Sequence, residues 1–204
     1  MERRLRLQRC ASFGFGLFTL ASGVSLILGA HLGAAPFDAL VTGVAKELGI
    51  SVGSGYWVVG AAFSALAWAL GKRPRPGTLV CVVVLGWLVN VLLPEIVWVA
   101  HGTAWPARVL VAGMGEGLLV MGASAIVLAD FGAGLVEEVM LALTRHHIGV
   151  REARWGLEAA CLGGAWLSGG QIGAMTVVIV IVTGPLIARA LRVGRRWVGG
   201  RVTQ

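Results

Sequence analysis

The chain has 204 residues, 57% of them hydrophobic and 13% charged, with a mean hydropathy of +0.83. A soluble domain of this length cannot hide so much apolar surface, so the composition places the chain among integral membrane proteins. The formal net charge of +7 does not indicate nucleic-acid binding, because the basic residues gather at the ends of apolar runs, where they act as membrane anchors.

Six apolar runs approach the roughly 20 residues that a helix needs to cross a hydrocarbon core about 30 Å thick. They cover about 11–30, 53–70, 77–100, 108–129, 152–168 and 173–191, the second and fifth being short. A basic tail over 1–12, with Arg3, Arg4, Arg6 and Arg9, precedes the first. A cleaved signal peptide would fit that beginning, but the first run is one half of a repeat and therefore belongs to the fold.

After the first run comes GAAPFDALVTGVAKELG, residues 33–49. Pro36 suits the first turn of a helix, and Asp38 suits the positive end of its dipole. Phe37, Leu40, Val41, Val44 and Leu48 make an apolar stripe at helical spacing, with Asp38, Thr42 and Lys46 facing the other way. The segment 34–48 spans only about 20 Å as a helix, too short to cross. Asp38 either caps its own helix or lines a path for a solute or cation.

Further along, Asn90 can hydrogen-bond between helices. Glu116 lies inside the fourth run, roughly 13 Å deep by helix rise. An ionisable group at that depth is by default a functional candidate. The alternative is a protonated or paired carboxyl in the bundle, with Gly113, Gly115 and Gly117 making room for a neighbour. His31 and Asp130 occupy matching places at the ends of the first and fourth runs, as interfacial residues or, for His31, as a proton relay.

In the second short segment, 133–147, Val136, Val139, Met140 and Leu143 form the stripe and Glu137 takes the place of Asp38. His146 and His147 are adjacent and point apart on a helix, a poor chelate. Arg154 and Glu158, four apart, share a face and can pair structurally or contact substrate.

The chain repeats itself. Shifted by 99, residues 13–34 match 112–133 at nine positions, among them Gly14/Gly113, Gly16/Gly115, Gly23/Gly122 and Ser25/Ser124. Shifted by 98, residues 51–88 match 149–186 at 13 positions, with Trp57/Trp155, Trp68/Trp166, Gly71/Gly169 and Thr78/Thr176 the most telling. Each unit reads as span, short acidic segment, span, span. The first covers 13–106 and the second 107–191, followed by a basic tail over 192–204.

With both termini cytoplasmic, only Lys46 and Arg108 of the 17 basic residues fall outside. Three crossings per unit invert the second relative to the first. The expected fold is thus all-α: six transmembrane helices as a 3+3 inverted-topology repeat, each half with a short amphipathic or re-entrant helix after its first span.

No Ser-His-Asp set, HExxH, P-loop or GxGxxG setting is present, so no enzymatic activity and no cofactor or metal are expected. Cys10, Cys81 and Cys161 have no metal-ligand spacing and read as reduced.

The run of Gly33-x-x-Pro36-x-Asp38, the amphipathic segment and Gly49-Ile50-Ser51 resembles the YczE/YyaS/YitT family of bacterial membrane proteins. So do Arg154-x-x-x-Glu158, Gly169-Gly170-x-x-Gly173-x-x-Thr176 and Gly184-Pro185-Leu186. The resemblance covers roughly 14–190. It departs at Leu135 and Glu137, where the family tends to have Pro and Asp, and in one residue fewer before Gly149. It implies a bacterial inner-membrane location.

The expected function is transport of a small solute or ion, with Asp38, Glu116, Glu137, Arg154 and Glu158 along the path and His31, Asn90 and Asp130 as secondary polar groups. Alternatives are a substrate-binding subunit that needs an energising partner, or an accessory or scaffold protein of a membrane complex. The lipid bilayer is the expected surrounding, with a homo-oligomer or partner subunit possible.

Overall fold

The computed structural model describes residues 2–100, 104–131 and 134–199, with side chains over 9–97, 104–131 and 134–194. The loop around His101, the repeat positions Gly132 and Ala133, and the end of the basic tail with Arg201 lie outside the described residues. Among the described residues the chain is all-helical: α1 (Glu2–Ala30), α2 (Pro36–Leu48), α3 (Val52–Ala69), α4 (Pro76–Ala100), α5 (Trp105–Ala129), α6 (Leu135–Leu143), α7 (Val150–Leu167) and α8 (Ala174–Gly199). A single 3₁₀ turn, Thr144–His146, extends α6. α1 begins at Glu2, so its first turns run through the basic tail.

Five helices, α1, α3, α4, α5 and α8, are long and apolar enough to cross a membrane. The chain is therefore a multi-pass protein in contact with the bilayer. The fifth expected run folds as α7, which has 18 residues but carries Arg151, Glu152, Arg154 and Glu158 and falls outside that set.

Element boundaries keep the offsets of the sequence repeat. α1 and α5 end at Ala30 and Ala129, and α2 and α6 begin at Pro36 and Leu135, in both cases 99 apart. α3 and α7 begin at Val52 and Val150, and α4 and α8 at Pro76 and Ala174, in both cases 98 apart. Left-handed backbone recurs in the same register: His31 (φ 52°) and Asp130 (φ 58°), Gly49 (64°) and His147 (63°), Gly71 (83°) and Gly169 (63°). Such residues end helices by turning the chain where a further helical turn would have to follow.

α1 and α5 form the central pair, and α1 is the most buried of the five spans. A methyl group on Gly23 would lie 2.6 Å from the Gly115 carbonyl oxygen, and one on Gly122 would lie 2.7 Å from that of Gly16. As position rises in α1 its partner falls in α5, so the two helices are antiparallel. Small residues let the backbones meet without a side chain between them, which is how helices associate where lipid supplies no hydrophobic drive. Of the three glycines around Glu116, only Gly115 serves this contact, and Gly113 and Gly117 face open space.

α2 is packed into the bundle against α7 and α3. Asp38, Ala39, Val41, Gly43 and Ala45 are buried and only its last turn is exposed. At one end of the molecule, Arg108 Nε and Nη2 donate to the carbonyls of Ala30 and His31 (2.7 and 2.9 Å), while Gln171 joins the α7–α8 turn to Leu28 and Thr42. At the other end, Arg145 Nη1 donates to the Gly71 carbonyl (2.7 Å), and Lys72 reaches Glu138.

Candidate functional site

Beside the α1–α5 crossing lies a partly open cavity of about 270 Å³, to whose wall all eight helices contribute. Asp38, Glu137, Arg154 and Glu158 line it, so four of the five path residues read from the sequence come together. The first turns of both short helices face this space, through Pro36 and Asp38 of α2 and through Leu135 and Glu137 of α6.

The two short helices hold their carboxylates differently. Asp38 and Glu137 are each the third residue of their helix, after Ala35 and Gly134 at the N-caps. That position puts a carboxylate near the positive end of the helix dipole. Glu137 folds back so that its Oε2 sits against Gly134, where any larger side chain would collide with it. Asp38 instead accepts a hydrogen bond from the Tyr56 hydroxyl, 2.6 Å to Oδ1, with only 7% of the residue exposed.

Tyr56 on α3 and Arg154 on α7 occupy equivalent places in the repeat, 98 apart, and both face the cavity. Arg154 does not turn to Glu137 as the analogy with Tyr56 and Asp38 would suggest. Its Nε donates to Glu158 Oε1 at 3.0 Å, the pairing expected from their spacing. Glu116 stands at the wall behind Thr183: the Thr183 hydroxyl donates to Glu116 Oε1 at 2.6 Å, and Thr183 lines the cavity. Glu116 is only 5% exposed, its Oε2 has no hydrogen-bond partner, and it lies within electrostatic reach of Asp38.

The secondary candidates lie away from the cavity. His31 Nδ1 accepts from the Gln171 side-chain amide at 2.8 Å, at the exposed end of α1. Asn90 Oδ1 accepts from the Gly53 backbone N–H at 2.9 Å and ties α4 to the start of α3. Asp130 is exposed beside Arg75, 3.5 Å away. No cluster of three or more metal-ligating side chains exists among the described residues.

Sequence reasoning did not single out Tyr56, Thr183, Glu138 or Gln171, and it reads Lys72 only as part of a basic anchor cluster with Arg73 and Arg75. Tyr56 is the chain's only tyrosine and sits in an apolar span, which was a signal for a buried hydroxyl in need of a partner. Glu138 adjoins Glu137 but points elsewhere: it is 2% exposed, Lys72 Nζ lies 2.7 Å from its Oε2, and Thr78 Oγ1 donates to its Oε1 at 3.3 Å.

Comparison with known proteins is consistent with this architecture. Residues 7–192 match a family described as a family of unknown function (DUF6198). The chain is 31% identical to the uncharacterized membrane protein YczE of Bacillus subtilis (strain 168), over 86% of this chain and 82% of that one. It is 45% identical to the uncharacterized protein YyaS of the same organism over 42 residues, 21% of each chain. An uncharacterized protein of Haemophilus influenzae is 26% identical over 85% of this chain and 78% of its own. No solved structure matches. The chain is therefore a multi-pass membrane protein of the YczE/YyaS family, the family described as DUF6198.

Proposed function

We propose that the protein is a transporter or channel for a small solute or ion, built as a 3+3 inverted repeat with its binding site in the central cavity and no enzymatic activity. The observation that carries this reading is that the first turns of two short helices, one from each half, meet at one largely apolar cavity that holds a few charged side chains. Paired short helices whose ends converge near the bilayer midplane between inverted halves are a recurring design of secondary transporters. The antiparallel crossing of α1 and α5 supports the inversion, because these helices are repeat mates and their close glycine contacts are exchanged by the repeat. The burial of α2 supports a re-entrant rather than a surface helix.

In this reading α7 is the sixth crossing. Its 18 residues rise about 27 Å, and its charged side chains Arg154 and Glu158 line the cavity. Both termini are then cytoplasmic, in the inner membrane of a bacterium. The test is uptake by the purified chain in proteoliposomes across a panel of small solutes, with Glu116→Gln as the comparison. Saturable uptake that the substitution reduces supports the reading. Unchanged uptake removes Glu116 from the path, and no uptake of any solute removes the transport function.

A further inference from the structure

Resting on that reading, we infer that the cavity takes a small organic ammonium ion. Asp38, Glu137 and Glu158 line it against one guanidinium, Arg154, which Glu158 already engages. Asp38 and Glu137 are left over, and Glu116 adds a third carboxyl at the wall. Its Oε2 is buried without a partner, and Thr183, whose hydroxyl bonds its Oε1, lines the space. A buried carboxylate without a donor is costly, and a cation in the adjoining space offsets that cost through its charge.

Anions are disfavoured by the same geometry. Carriers of anionic substrates present bare helix N-termini to the ligand. Here each N-terminus facing the cavity already carries a carboxylate of the protein, Asp38 in α2 and Glu137 in α6. A bare metal cation is disfavoured too. It would need several oxygen ligands at close range, and no such cluster is present among the described residues. The remaining wall is apolar, with Leu20, Val24, Leu85 and Ile126, which suits an alkyl part. The aromatic rings of Phe37 and Tyr56, 6.1 Å apart beside Asp38, suit a cation. A volume of about 270 Å³ falls below the range of about 300–1,000 Å³ typical of drug-sized ligands, so the ion is small.

The test uses n-butylammonium, n-butanol and butyrate, which share a four-carbon chain and differ in charge, with the full-length chain in lipid nanodiscs and in vesicles. The expected result is a saturable rise in unfolding temperature with butylammonium alone. Asp38→Asn and Glu116→Gln should each weaken binding by about tenfold or more, and Asp130→Asn, outside the cavity, should leave it unchanged. Should Asp38→Asn fail to fold, Glu116→Gln with Glu137→Gln answers the same question. Binding of butyrate or butanol equal to that of butylammonium overturns the inference, as does no binding of any probe or unchanged binding in the folded variants. Butylammonium binding without uptake into vesicles keeps the ligand class and removes transport. Uptake of butyrate or butanol in its place keeps transport and removes the ligand class.

Discussion

Lys72 Nζ lies 2.7 Å from Glu138 Oε2, and the repeat mates of these two residues are Gly170 and Ala39, which meet through backbone alone. One end of the molecule is thus held by an ion pair where the other is held by two small residues in close approach. A buried pair gains little over apolar packing, but removing one partner strands a charge. Glu138→Gln is expected to destabilise the protein by about 3–5 kcal/mol, and Lys72→Met with Glu138→Leu to recover most of that loss. Denaturant unfolding in detergent measures both, and equal losses in the single and double variants would show that the charge is not what matters.

The α1–α5 crossing yields a contrast between glycines. A methyl group on Gly23 would sit 2.5 Å from the Leu119 backbone nitrogen, and one on Gly122 would collide with that of Leu20, contacts that no rotamer change can relieve. Gly23→Ala and Gly122→Ala should each cost about 1–3 kcal/mol by forcing the helices apart. Gly113→Ala and Gly117→Ala meet nothing within 4 Å and should be neutral or slightly stabilising, because alanine favours the helix. Unfolding temperatures of the four variants give the answer, and a uniform loss would refute the crossing.

The Tyr56 hydroxyl is the hydrogen-bond donor to Asp38, at 2.6 Å. Tyr56→Phe removes it without changing the packed ring and is expected to cost about 1–3 kcal/mol if Asp38 is charged when unliganded. Asp38→Asn in the Tyr56→Phe background should then cost less than in the native chain. A double-mutant cycle in detergent reports the coupling, and strictly additive effects would mean that the hydroxyl does not support the carboxylate.

Much of the fold was legible because the repeat fixes the boundaries: the offsets of 99 and 98 found in glycines and tryptophans recur at the helix starts. The pairing of Arg154 with Glu158 was also legible, since it depends only on helical spacing within one element. The partners of Asp38, Glu116 and Glu138 were not. Tyr56 is 18 residues from Asp38, Thr183 is 67 from Glu116, and Lys72 is 66 from Glu138. A lone hydroxyl in an apolar run, or a lysine in a basic loop, has no periodicity to mark its partner, and only helix packing decides what it meets. The asymmetry of the two short segments was half visible: Glu137 replaces Asp38, but that it folds onto Gly134 depends on backbone geometry.

The proposed inverted arrangement has a consequence for labelling. Lys46, near the end of α2, lies against Gly169 at the end of the molecule that also carries Arg108 and Gln171. Arg145, just after α6, bonds to Gly71 at the opposite end, beside Lys72 and Glu138. Glu47 and Arg145 are both exposed, so each can carry a probe outside the packed core, at position 145 with loss of the bond to Gly71. In a chain freed of Cys10, Cys81 and Cys161, cysteine at position 47 should react with a membrane-impermeant maleimide added outside the cell, and cysteine at 145 only after the cytoplasmic face is exposed. Cysteine at 38 should react slowly from either side, because Asp38 is buried in the bundle. If positions 47 and 145 label from one side, the two halves are not inverted and the cavity is not a point between two faces.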